Sequence, residues 1–136
     1  MKLDYLASGS DDCPLIRLQS TDPGDFAQLF EAVRQLQSSD EKVRIDALPM
    51  IQAINGCSLT LGVGARKPGI YRISKTNPQA FEWIEPRHRW ENVEGLIEPF
   101  MQPGTGHQWL CGNNAPGMLG DSEITVLITS HKDGGW

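Results

Sequence analysis

Apolar residues recur along this chain with two different periods, and the alternation between them sets out the elements. Leu3–Leu6 and Leu15–Leu18 predict two short strands, separated by the polar, glycine-containing stretch Ser8–Asp12. Phe26, Leu29, Phe30, Val33 and Leu36 then recur at spacings of three and four, the stripe of an amphipathic helix. Asp22 followed by Pro23 reads as an N-cap and first helical position, and Asp25 complements the helix dipole. A long N-terminal helix over 23–38 follows from these signals, ending at Ser38-Ser39-Asp40.

Val43 and Ile45 alternate with Lys42, Arg44 and Asp46, the period of a half-buried strand. Residues 46–56 admit two readings. Asp46 could cap a short helix through Leu48, Ile51 and Ile54, or Asn55-Gly56 could be a hairpin turn; the three-residue spacing favours the helix. Leu59, Leu61 and Val63, then Ile70–Ser74, then Ala80–Ile84 predict three strands. Turns at Lys67-Pro68-Gly69 and Asn77-Pro78 join them, which suggests an antiparallel meander.

Helical spacing returns in Trp90, Val93, Leu96, Ile97 and Phe100, with Pro99 ending the shorter second helix near Glu98. His107–Cys111 and Glu123–Ser130 predict two more strands around a Gly-, Asn- and Pro-rich loop over 112–121. With no repeat and no linker, residues 1–136 read as one α+β domain. Its expected architecture is a mostly antiparallel sheet with both helices packed on one face.

Charge narrows the function classes. Twelve basic and 17 acidic residues give a net charge of −5, and the densest basic runs, Arg66-Lys67 and Arg87-His88-Arg89, are short. Nucleic acid is thus not the expected partner. No stretch approaches the length of a membrane helix, and the first residues lack a signal-peptide core. Cys13, Cys57 and Cys111 form no paired framework, so the expected compartment is the cytoplasm.

The chain carries neither GxGxxG nor a Walker-type loop, and no metal-ligand spacing, so no cofactor or metal is expected. His107 and Cys111 are the closest His–Cys pair. A four-residue gap on a strand puts both on one face, about 13 Å apart, too far for direct proton transfer. They remain the place for an alternative reading, a small-ligand binder or enzyme.

Glu91, Glu94 and Glu98 form an acidic stripe beside the apolar stripe of the second helix. Like charges at these spacings cost a few tenths of a kcal/mol, which a basic partner relieves. Trp83 and Trp109 read as core residues, whereas Trp90 beside the stripe and Trp136 after the Gly-rich tail are candidate partner contacts. The expectation is a non-catalytic protein-binding module using Trp90, Glu91, Glu94, Glu98 and Trp136. In size, charge and helix–meander–helix–strand order the chain resembles, in layout, the small acidic α+β immunity proteins that bacteria use to block toxins. That likeness implies a basic toxin as partner. A third reading is a self-associating subunit paired through a strand edge and Trp136.

Overall fold

The computed structural model describes residues 1–64, 66–111 and 123–136. Within them, two mixed sheets and two helices make an α+β fold. Nine strands are described: β1 (Lys2–Leu6), β2 (Leu15–Gln19), β3 (Val43–Arg44), β4 (Gln52–Ala53), β5 (Ser58–Val63), β6 (Gly69–Arg72), β7 (Ala80–Glu85), β8 (His107–Cys111) and β9 (Thr125–Thr129). The helices are α1 (Pro23–Ser39) and α2 (Arg87–Ile97), the latter continued by a 3-10 turn at Glu98–Met101.

The start of α1 follows its sequence signals. Asp22 is extended, and its side chain accepts a hydrogen bond from the Gly24 amide at 2.8 Å. Phe26, Leu29, Phe30, Ala32, Val33 and Leu36 are its buried residues. The helix has 17 residues, an ordinary rather than a long element.

The first sheet has the order β4-β1-β2-β9-β8. β1 and β2 pair antiparallel, as do β8 and β9, but β2 lies parallel to β9 and β1 to β4. The inner face carries Leu3, Ile16, Leu18, Val126 and Ile128 into the core. On the outer face Leu15 and Leu127 are also fully buried. The chain over 131–136 is tied to this face. Gln19 Nε2 donates to the His131 carbonyl, Arg17 Nη1 to that of Gly134 and Thr129 Oγ1 to that of Gly135, at 2.7–3.0 Å.

The second sheet corrects the expected meander. Its order is β3-β5-β7-β6, with β5 and β7 parallel neighbours and β6 outside them, antiparallel to β7. The cause lies in β7, whose residues are all buried except half-buried Glu82. A strand buried on both faces takes a central place. On its outer side Ile84 occupies the space left by two glycines of the β5 segment. A Cβ on Gly62 would stand 2.9 Å from Ile84 Cδ1, and one on Gly64 the same distance from Ile84 Cγ2.

The short helix expected within 46–56 is also absent. A 3-10 turn at Ile45–Ala47, the two-residue β4 and a second turn at Ile54–Gly56 replace it. A cap at Asp46 would accept from the amide two or three positions inside the helix, but Pro49 has none and the Leu48 amide donates to the Ile45 carbonyl at 3.0 Å. Asp46 instead accepts from the Leu59 amide at 3.2 Å and from Ser58 Oγ at 3.3 Å. Asn55 (φ 54°) and Gly56 (φ 72°) are both left-handed, as in a type I′ turn, closed by Cys57 N donating to Ile54 O at 3.0 Å. The flanking strands diverge, β4 to the first sheet and β5 to the second, so no hairpin forms.

One apolar cluster draws residues from both sheets and both helices. The helices are not confined to one face of one sheet: α1 packs along α2 and against β3 and β5, while α2 reaches β8. Tyr5 and Phe81 join the two sheets, with ring centroids 4.9 Å apart. The expected loop over 112–121 lies outside the described residues.

Candidate functional site

The acidic stripe divides into open and engaged carboxylates. Glu91 is exposed on α2, and Glu98 is exposed in the 3-10 turn that follows. Glu94 is half-buried against α1. Gln37 Nε2 donates to its Oε2 at 2.5 Å, and Arg34 Nε lies 3.8 Å from its Oε1. Arg34, Gln37 and Ser38 of α1, with Glu91 and Glu94 of α2, line a groove of about 310 Å³ between the helices. Glu94 is therefore a fixed wall of that groove, and Glu91 a solvent-facing charge at its side.

Trp90 offers no surface to a partner. It is 0% exposed, its indole N–H donates to the Gly62 carbonyl at 2.9 Å, and its ring lies 4.6 Å from that of Trp83. Being on the apolar side of α2, it anchors the helix to the second sheet. Trp136 remains 37% exposed, and its indole N–H donates to Asp12 Oδ2 at 2.9 Å. One end of that ring is held and the other meets solvent.

The His107–Cys111 pair is not brought together on one face. β8 carries an irregularity between Trp109 and Cys111: His107 and Trp109 pair with Thr129 and Leu127, but Cys111 pairs with Val126. Leu127 and Val126 are consecutive on β9 and point to opposite faces. The extra residue thus turns Cys111 to the core side, where it is buried, while His107 stays exposed on the other side. His107 instead approaches His131, with ring centroids 6.3 Å apart. It also borders a cleft of about 300 Å³ with Phe100, Gln108 and Ser130. Ser130 is committed there, since its Oγ accepts from the Gly106 amide at 2.9 Å and reaches the Gly104 carbonyl at 3.1 Å. Among the described residues, no group of three or more His, Cys, Asp or Glu is placed to hold a metal ion.

A carboxylate that sequence reasoning missed is Glu85, the last residue of β7. It is 1% exposed. Trp83 Nε1 donates to its Oε1 at 3.1 Å, Arg89 Nη1 stands 3.7 Å from Oε2, and Oε2 takes no hydrogen bond among the described residues. Burial pushes its carboxyl above the ordinary glutamate value, against the opposing pull of Trp83, Arg89 and His88. The available signal was a glutamate continuing an apolar strand, with arginine four residues on.

Cys57 is buried too. Desolvation first, then the charges of Asp4 and Asp46, push its thiol up to about 12. Among the described residues, no helix is long and apolar enough to cross a membrane. No protein-family model, no curated protein and no solved structure matches the chain.

Proposed function

We propose that the chain is a non-catalytic protein-binding module that presents the acidic side of α2 to a basic partner. The observation that carries this reading is the groove between α1 and α2, where Gln37 and Arg34 hold Glu94 while Glu91 stays open to solvent. Pre-positioned carboxylates lose little freedom on binding, and exposed ones raise the association rate of an oppositely charged protein. Glu98 extends the charged surface past the end of α2, and Trp136 supplies a half-held aromatic that suits a contact elsewhere on the partner.

In size and charge the chain resembles the small acidic immunity proteins, and on that likeness the corresponding partner is a toxin's basic surface. The cytoplasm is the compartment we assign. Cys13, Cys57 and Cys111 are all free thiols, which suits a reducing environment. The alternative of a His107–Cys111 active site loses support from their placement on opposite faces of the sheet.

The test is affinity capture from the native host at low salt, with the wild-type chain and the Glu91→Lys/Glu98→Lys variant side by side. A basic protein should be retained by the wild type, released by salt and lost with the variant. Equal capture by both, or salt-insensitive capture, would overturn this reading.

A further inference from the structure

The basic residues of this acidic chain are unevenly placed. No aspartate or glutamate occurs from residue 47 to residue 81, a stretch that carries Arg66, Lys67, Arg72 and Lys75. Five of the seven arginines, Arg17, Arg34, Arg44, Arg87 and Arg89, pair with carboxylates. Arg66 and Arg72, both exposed, are held by neutral groups instead. The Arg66 guanidinium lies 3.7 Å from the centre of the Tyr71 ring. That of Arg72 donates to Tyr5 Oη and to the Pro78 carbonyl, each at 3.1 Å, and lies 5.5 Å from the centre of the Phe81 ring. Rings and carbonyls orient a guanidinium without cancelling its charge.

These two arginines flank β6, the edge strand of the second sheet, and exposed Lys75 follows it. Ile73, between Arg72 and Lys75 in the chain, is 51% exposed, the most of any large apolar residue among those described. Arginine, aromatic rings and apolar groups in one place are the composition that interfaces favour. Glu82, the carboxylate opposite Tyr71, is engaged by Lys42 at 2.7 Å and leaves this region basic.

The acidic side of α2 lies across the sheet from the Arg66–Tyr71 stack. Trp83 of β7 faces Trp90 of α2. Tyr71 pairs with Glu82, the residue before Trp83, and so points to the other face. Exposed Glu91 and Glu98 belong to the helix side. The two oppositely charged regions cannot meet within one chain, whereas they can meet between chains. We propose that the β6 edge is a docking surface for a second copy of this chain, whose α2 side brings Glu91 and Glu98 to Arg66, Arg72 and Lys75.

Such a contact is head-to-tail. Each copy uses a different surface for each neighbour, so further copies can add. The net charge of −5 on every copy opposes assembly. At about 0.1 M salt, however, the screening length is about 10 Å, and the touching patches outweigh charges farther off. Surface ion pairs are individually weak, which sets the expected Kd on the order of 1 mM or tighter. A basic partner of the α2 side would compete with this contact. Self-association needs no foreign partner, so the absence of one and the absence of the other are separate results.

The test is the weight-average mass of the whole chain by sedimentation equilibrium, at about 1 mM chain in about 0.1 M and about 1 M salt. In the lower salt it should rise with concentration to at least about twice the 15.1 kDa of one chain, and in the higher salt it should return to that value. Arg66→Glu/Lys75→Glu and Glu91→Lys/Glu98→Lys should each lower the association constant at least about fivefold. Arg72 stays in place because it ties Tyr5 to the Pro78 carbonyl. An equimolar mixture of the two variants has one intact acidic side and one intact basic edge. It should associate more than either variant alone and stop at a 1:1 pair. A wild type that stays at 15.1 kDa in the lower salt would overturn the proposal, even if a variant did not fold. Association that either variant retains in full, or a mixture no heavier than its components, would overturn it too.

Discussion

Cys111 lies on the opposite face of its sheet from His107, although four residues separate them on one strand. The register shift between Trp109 and Cys111 adds a residue to β8 and reverses the alternation that a regular strand would keep. A pattern that promises a shared face thus gives one exposed imidazole and one buried thiol.

Independence of the two side chains follows. His107→Ala should change stability by less than about 0.5 kcal/mol, as expected of an exposed site. Cys111→Ala, in the core, should cost about 1–2 kcal/mol. Urea unfolding of the double variant should give the sum within about 0.5 kcal/mol. A larger coupling would show that the pair interacts.

Close packing on the outer side of the second sheet gives a sharper test. A Cβ on Gly62 would meet Ile84 Cδ1 and one on Gly64 would meet Ile84 Cγ2, each at 2.9 Å. Overpacking of this kind costs about 1–3 kcal/mol. Cδ1 sits at the rotatable end of the side chain and Cγ2 on its rigid branch, so Gly64→Ala should cost more than Gly62→Ala. Ile84→Val removes Cδ1 and keeps a methyl at the branch. It should therefore rescue Gly62→Ala and leave Gly64→Ala uncorrected, as read from thermal midpoints.

Much of the layout was legible because local signals and tertiary demand agree. Asp22-Pro23 and the spacing from Phe26 to Leu36 specify α1 wherever the helix packs. Strand pairing was less legible. The choice between a meander and a parallel β5–β7 pair depends on Ile84 fitting over Gly62 and Gly64, a contact between residues about 20 apart that no local period records. The turns within 46–56 were hidden for a similar reason, since the Asp46 carboxylate is drawn to β5. Within the candidate site, spacing revealed the acidic stripe. It could not reveal that α1 engages Glu94, or that Trp90 is wholly interior.

Buried titratable groups set the pH dependence of stability. Glu85 has a carboxyl raised above 4.5 in the folded chain, so the stability it contributes against global unfolding is complete below the ordinary value and is lost as pH rises through the raised one. Glu85→Gln should flatten that fall, as read from urea unfolding across the pH range. Cys57 acts likewise at the alkaline end. Its contribution is intact below the thiol's ordinary 9.0 and disappears as pH rises through about 12. In the native chain at pH 8 a thiol reagent should label half-exposed Cys13 first and reach Cys57 and Cys111 only on unfolding. Rapid native labelling of Cys57 would contradict its placement.

Once a partner is in hand, the association rate constant against ionic strength tests the electrostatic role of the α2 face most directly. For the wild type the rate should fall steeply with salt. For Glu91→Lys/Glu98→Lys it should be at least about tenfold lower and nearly salt-independent, with thermal stability within about 0.5 kcal/mol of the wild type. Identical rates and identical salt slopes for the two proteins would contradict that role.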